Sequence, residues 1–318
     1  MRLPWGRFAA AGALMLLLAA QAPRAGEFVW QLPDGIAPPP APADNPITAE
    51  KVALGRALFA DTRLSINDRT SCATCHVAER EFTDGLPRAV GTLGDRHPRN
   101  TPTLWNAGYY VSLTWRDAGL TTLEAQLRIP LTSTSPVEMG YTDALLPRLA
   151  ADAVLGGLHQ QAFGDTPMSL DTLVKALASY VRTLVRMDSP FDRYLLYDER
   201  TGVSDRAKAG LKLFFSERLA CSHCHAGPHL SGPVHEPGKD VPPVFHRTAV
   251  SDTADPMRAP SLRLISRTAP YMHDGSLPDL SAVLDFYEAG GGLNAEHLQA
   301  FTLTSDERQA LLAFLELL

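Results

Sequence analysis

Cysteine is scarce in this chain, four in 318 residues. That is too few for a disulfide scaffold, which serves small domains better than long ones. Basic charge is short as well: Lys and Arg number 29 against 35 Asp and Glu, a formal charge of −6. With no cationic excess to hold a phosphate backbone, nucleic acid is excluded as a partner. Strand signals are weak, because apolar–polar alternation is rare and no Asn-Gly dipeptide occurs. Beyond the first 25 residues no run is long and apolar enough to span a membrane. Even the run from Phe8 to Ala20 falls short of the roughly 20 residues a spanning helix needs.

That run follows Arg2 and Arg7 and precedes the small residues Ala22 and Ala25, the order of a secretory signal. Residues 1–25 are therefore expected to be a cleaved signal peptide. Losing Arg2, Arg7 and Arg24 with it deepens the formal charge from −6 to −9. The Pro-rich stretch 33–46 reads as extended, so residues 26–44 are assigned as a leader between signal and fold.

The rest of the chain is organised by a repeat. A helical run, Thr48 to Phe59, precedes Cys72-Ala-Thr-Cys75-His76; a second, Ser204 to Phe214, precedes Cys221-Ser-His-Cys224-His225. Each run opens on a Ser/Thr N-cap and ends in Gly-x-x-Leu-Phe. The two histidines lie 149 residues apart, a duplicated domain rather than a solenoid. Between the copies, Leu170, Leu173, Val174, Leu177, Val181 and Leu184 keep helical spacing behind Ser169. Thr304-Ser-Asp-Glu307 opens the last helix as a capping box. The Pro-rich, aperiodic stretch 233–261 reads as a loop over the second domain. The expected fold is mainly α: two cytochrome c-like domains with long loops, related by duplication. They are assigned to residues 45–190 and 191–318, with the boundary region near 186–204.

The two Cys-x-x-Cys-His motifs consume all four cysteines. Thiols one helical turn apart can add across the two vinyl groups of one haem, and the adjoining histidine then meets the iron. Vicinal disulfides or a four-Cys zinc site would not require a histidine after each pair. The chain is thus expected to carry two covalent haem c groups, with His76 and His225 as axial ligands. What fills the opposite positions separates an electron carrier from a catalyst. By spacing, Met257, Tyr271, Met272, His273 and Tyr287 are candidates at the second haem, and His97 and Met139 lie downstream of the first. The residues alone leave this open.

Several strings together resemble the bacterial dihaem cytochrome c peroxidase/MauG superfamily. They are Leu54-Gly-Arg-Ala-Leu-Phe59, the first haem motif, Arg99-Asn-Thr-Pro-Thr103, Trp115, Pro136-Val-Glu-Met139, the second motif, Ala259-Pro-Ser-Leu-Arg263 and Ala269-Pro-Tyr-Met-His-Asp-Gly275. They run in family order over residues 45–318, and Ser135-Pro-Val-Glu-Met-Gly140 is similar to the methanobactin-operon enzymes.

The resemblance implies roles residue by residue. The first haem would react with peroxide, with Glu138 over its open face as a proton shuttle and Gln126 and Pro130 lining the same pocket. Trp115 would relay electrons between the haems, although Arg116-Asp-Ala-Gly119 departs from the family's usual Trp-Asp-Gly. Counting eighteen residues from Ala269 reaches Tyr287, where peroxidases carry an axial Met and MauG-like enzymes a Tyr; Met272 is the alternative ligand. Calcium would be held by Asn100, Thr268 and Pro270. The peroxidases' mobile loop histidine would fall near Gly91-Thr92, where no histidine stands; His97 is not at the matching position. His159, His223, His229, His235, His246 and His297 read as surface or loop residues. The implied activity is periplasmic and peroxide-dependent: oxidation of a Trp or Tyr side chain on a partner protein, through an oxidised state shared across both haems. The partner is expected to be copper-associated and the product kynurenine. The alternatives are a cytochrome c peroxidase fed by a small redox protein, and a dihaem electron carrier.

Overall fold

The computed structural model describes residue 26 and residues 28–199, 201–251 and 255–318; the expected signal peptide lies outside them. Among the described residues there are ten α-helices: α1 (Ala49–Phe59), α2 (Cys72–Cys75), α3 (Leu123–Thr132), α4 (Leu146–Ala150), α5 (Ala153–Phe163), α6 (Leu170–Arg182), α7 (Pro190–Tyr197), α8 (Asp205–Phe214), α9 (Leu280–Glu288) and α10 (Ser305–Leu315). Extended pairing is confined to isolated bridges such as Val90 with Arg96 and His246 with Met257. The chain is mainly helical, as its patterning requires.

The helix starts are chemical. Thr48 and Ser204 accept from the backbone N–H groups of Lys51 and Ala207, so α1 and α8 begin where the repeat places them. Ser169 and Thr304 cap α6 and α10 in the same way, each in a reciprocal box. Two apolar cores result. Leu54, Leu58, Leu173, Leu177 and Val181 bury α1 against α6, while Phe214, Leu311, Phe314 and Leu315 bury α8 against α10.

Each pairing turns on one glycine. A Cβ on Gly55 would lie 2.0 Å from the Ala176 carbonyl oxygen, and one on Gly210 would lie 1.9 Å from that of Ala310. Only glycine lets the backbones cross so closely. Gly55 stands four residues before Phe59, and Gly210 four before Phe214.

Helix α7 fills the expected boundary region and packs on the second core through Phe191, whose ring is 5.5 Å from that of Phe314. Beside it, the Arg263 guanidinium donates two 2.6 Å hydrogen bonds to the buried Asp192 carboxylate. Two connections behave differently from expectation. The Pro-rich leader is packed onto the first core: Pro40 accepts from Arg182 and Ala37 from the Tyr109 hydroxyl. The described part of the 233–261 segment is irregular as expected, but it reaches the first core rather than covering only the second. Val234 packs there, and the His235 N–H donates to Tyr109. Aperiodic sequence carries no register, so its packing partner is decided only in three dimensions. Glu81, nearly sealed, takes Trp105 Nε1, Arg186 and Arg267 together.

Candidate haem and peroxide site

Both cysteine motifs adopt one turn of helix. The His76 N–H donates to Cys72 and the His225 N–H to Cys221, at 2.9 and 3.0 Å, so the two thiols of each pair lie one turn apart with the histidine closing the turn. Neither pair is joined as a disulfide. Burial pushes the Cys72 thiol up to about 12, and the Cys75 and Cys221 thiols up to about 11.

The two histidine rings are oriented alike. His76 Nδ1 lies 2.9 Å from the Phe82 carbonyl, and His225 Nδ1 lies 3.0 Å from the Pro260 carbonyl. A carbonyl only accepts, so each Nδ1 carries the proton and each Nε2 keeps its lone pair, the arrangement a metal-ligating histidine needs. Burial lowers both histidines, His225 to about 4, which keeps the rings neutral. Arg258 adds a further sign. It is buried across the Tyr110 ring, its Nη1 has no partner, and among the described residues no carboxylate pairs with it. A buried guanidinium left unpaired is costly, and an acidic group such as a haem propionate would satisfy it. The residues present fit covalent haem c.

Helix α3 carries Gln126 and Pro130 one turn apart, so they share a face. Pro130 accepts the Met139 N–H at 3.0 Å and Leu131 that of Tyr141 at 2.8 Å, which seats the 138–141 segment against the end of the helix. Glu138 is half-buried and acts electrostatically on both Cys75 and His76. Gln126 Oε1 is buried without a partner, an acceptor waiting for a donor. The Glu138 segment therefore lies against Pro130, Glu138 acts on the first motif, and Gln126 shares the Pro130 face of α3. Met139, which lies downstream of the first motif, is buried in the first core.

Trp115 lies between the two halves of the chain. Its Nε1–H donates to the Asn100 carbonyl at 3.1 Å, and its own carbonyl accepts the Arg258 N–H at 2.8 Å. Its ring stands 6.4 Å from that of His273. The Asn100 amide nitrogen donates to Leu86, leaving its side-chain oxygen as the group able to ligate a cation. Among the described residues no hydrogen bond is donated to the Thr268 or Pro270 carbonyl, and oxygens of this kind suit calcium.

At the second motif, burial of the Tyr287 hydroxyl on α9, and secondarily charge on the nearby Cys224 and Cys221, push its pKa above the ordinary phenol range. Some of the other ligand candidates, Met272 not among them, have partners of their own. The Tyr271 hydroxyl donates to Ile265, His273 Nδ1 meets Arg99, and Met257 is a core residue.

Two of the histidines expected at the surface are buried. His159 bonds Thr172 at 3.0 Å, and His229 stacks 4.5 Å from Tyr109 in the seam between the cores. No apolar period marks His229, whose burial comes from Tyr109, distant in sequence, whereas His159 lies one turn from both Leu155 and Phe163 on α5. His97, passed over as a position that does not match the family's loop histidine, sits 3.5 Å from Glu138. The only sequence signal for this was Gly91 and Gly94, which fold residues 89–99 back on themselves.

A sequence profile of the di-haem cytochrome c peroxidase family matches residues 49–200. The methylamine utilization protein MauG of Methylorubrum extorquens is 38% identical, over 88% of this chain and 81% of its own. The cytochrome c551 peroxidase of Pseudomonas aeruginosa is 34% identical, over 81% of this chain and 79% of its own. Among solved structures, a MauG-like protein associated with microbial copper homeostasis aligns with a TM-score of 0.86 at 35% identity, covering 91% of this chain and 95% of the other. The diheme peroxidase BthA of Burkholderia thailandensis shares the fold, with a TM-score of 0.66 at 20% identity over 85% of this chain and 86% of the other.

Proposed function

This chain belongs to the di-haem cytochrome c peroxidase/MauG family, and we propose that within it the protein is a MauG-type oxidase acting on a Trp or Tyr side chain of a partner protein. Like its relatives it is a dihaem, peroxide-dependent enzyme. The observation that carries the narrower reading is Tyr287, a phenol whose buried hydroxyl lies near enough to the second motif to feel Cys224 and Cys221. A phenolate ligand donates charge and favours oxidised iron, whereas a thioether favours the reduced state. Tyr287 therefore suits holding an oxidising equivalent better than passing electrons inward from a cytochrome.

Bound haem c supplies an iron centre that reacts with peroxide. The chain's own residues manage protons and electrons around it. Glu138 takes a proton from one peroxide oxygen and returns it to the other, with Gln126 and Pro130 shaping the pocket. Peroxide gains two electrons and two protons and leaves as two waters. The electrons come from the partner's aromatic side chain by way of Trp115, which is polarised by the Asn100 carbonyl. Asn100, Thr268 and Pro270 would hold calcium beside this relay. The arrangement is read as two cytochrome c-like halves, 45–190 and 191–318, arisen by duplication, each with one haem.

The proposed setting is the periplasm, reached through the residue 1–25 signal; among the described residues no helix is long and apolar enough to cross a membrane. The similarity to the copper-homeostasis protein supports a copper-associated partner; kynurenine as product takes two peroxide turnovers, with oxygen from water and the indole C2 leaving as formate. The test is direct. Diferric holoprotein is treated with peroxide, its spectrum followed, candidate partners added, and those partners read by mass spectrometry. A spectrum that relaxes only with a small redox protein, with no partner modified, would return the enzyme to the peroxidase class.

A further inference from the structure

We propose that His97 is a positioning residue for Glu138, holding one carboxylate oxygen so that the other is presented to peroxide. This rests on the reading of Glu138 as the proton shuttle and adds the group that aims it.

The tautomer of His97 is set by the backbone. The Arg99 N–H donates to His97 Nδ1 at 3.1 Å, so the ring is neutral with its proton on Nε2. That Nε2–H stands 3.5 Å from Glu138 Oε1, a few tenths of an ångström beyond an ordinary hydrogen bond. Catalytic contacts are often this loose before ligand binds.

The approach is built by a hairpin. The His97 N–H donates to Ala89 and the Ala89 N–H to Arg99, while the Gly91 N–H donates to Asp95. The same hairpin grips the Glu138 main chain, because the Thr92 N–H donates to the Glu138 carbonyl at 2.9 Å. Thr92 is itself fixed, its hydroxyl donating to Asn67 and its carbonyl accepting from Asn67. A Cβ on Gly91 would lie 2.2 Å from the Val137 carbonyl oxygen, so glycine is what allows the hairpin to lie against 137–138. One element thus meets Glu138 at two points: Thr92 bonds its carbonyl, and His97 Nε2 stands 3.5 Å from its carboxylate. Pro98 follows His97 and restricts its backbone, which keeps the ring in place.

The side chains of His97 and Glu138 are 27% and 29% exposed. Without His97 the carboxylate would be free to rotate into solvent. Once the contact closes on Oε1, Oε2 remains the base.

The experiment uses the haem-loaded enzyme and follows its reaction with hydrogen peroxide by stopped-flow absorbance. Four proteins are compared with wild type: His97→Phe, His97→Gln, Glu138→Gln and the His97→Phe/Glu138→Gln double variant, all checked for two haems per chain. His97→Phe keeps the bulk and loses the donor, and its second-order rate constant is expected to fall at least tenfold. His97→Gln places an amide N–H near the lost Nε2–H and is expected to recover most of the rate. In the Glu138→Gln background, His97→Phe is expected to cost nothing further, since the two act as one unit.

A His97→Phe rate equal to wild type, beside a slowed Glu138→Gln, overturns the His97 proposal and leaves the Glu138 assignment standing. So does a full additional loss in the double variant, or a glutamine variant as slow as the phenylalanine one. An unaffected Glu138→Gln enzyme overturns the Glu138 assignment, and the His97 proposal with it.

Discussion

Trp115 and Asn100 are joined by one hydrogen bond, the indole Nε1–H donating to the Asn100 carbonyl at 3.1 Å. The relay candidate and the calcium candidate are therefore one physical unit. An acceptor on the indole N–H makes the ring easier to oxidise, and anything that moves Asn100 moves that acceptor.

Trp115→Phe is expected to leave both haems attached and the peroxide reaction near the wild-type rate. Partner oxidation should fall at least about tenfold, ~1.4 kcal/mol of barrier, because the electrons lose their stepping stone. Stopped-flow spectra and partner mass spectrometry separate the two effects. Equal loss in both steps would make Trp115 a packing residue.

Removing calcium with a chelator should perturb the spectra of both haems together and stop partner oxidation, with recovery when calcium is returned. Asn100→Ala should reproduce the loss and resist the recovery, as metal analysis of the purified protein would verify. A chelated enzyme at full activity would leave Asn100 as the anchor of Trp115 alone.

Tyr287→Phe is expected to retain two covalent haems and to change the low-spin ferric spectrum, since the second iron would lose its oxygen donor. The peroxide-oxidised state should then decay before the partner arrives. Spectra and partner oxidation both matching wild type would shift the ligand role to Met272.

Gly210→Ala should lower stability by about 2 kcal/mol or more, given that overpacking typically costs 1–3 kcal/mol and the new methyl would meet the Ala310 carbonyl. Gly55→Ala should behave alike against Ala176. Gly157 in α5 has nothing within 4 Å of its missing Cβ; replacing it with Ala should be neutral or stabilise by up to ~1 kcal/mol. Thermal unfolding of the holoprotein orders the three.

Local chemistry was legible without coordinates. Thr48, Ser169, Ser204 and Thr304 act as the caps their sequences announce, because an N-cap needs only its own next three residues. The haem motifs were legible for the same reason: two thiols and a histidine within five residues already define one turn. Glu138 and Tyr287 came from resemblance in the sequence; Glu138 acts electrostatically on His76 and Cys75, and Tyr287 feels Cys224 and Cys221.

What only the tertiary structure decided is everything that joins distant segments. The leader against Arg182, the 233–261 segment on the first core, the burial of His229 and the reach of His97 to Glu138 all depend on contacts between segments apart in sequence. Capping and helical period are short-range and repeat along the chain, so residue order encodes them openly. Irregular segments have no period, and their partners are chosen by which backbone groups and apolar surfaces remain unsatisfied once the helices have packed. Residue order determined that this chain is helical and carries two haem-attachment turns; the packing of its loops decided which side chains stand over them.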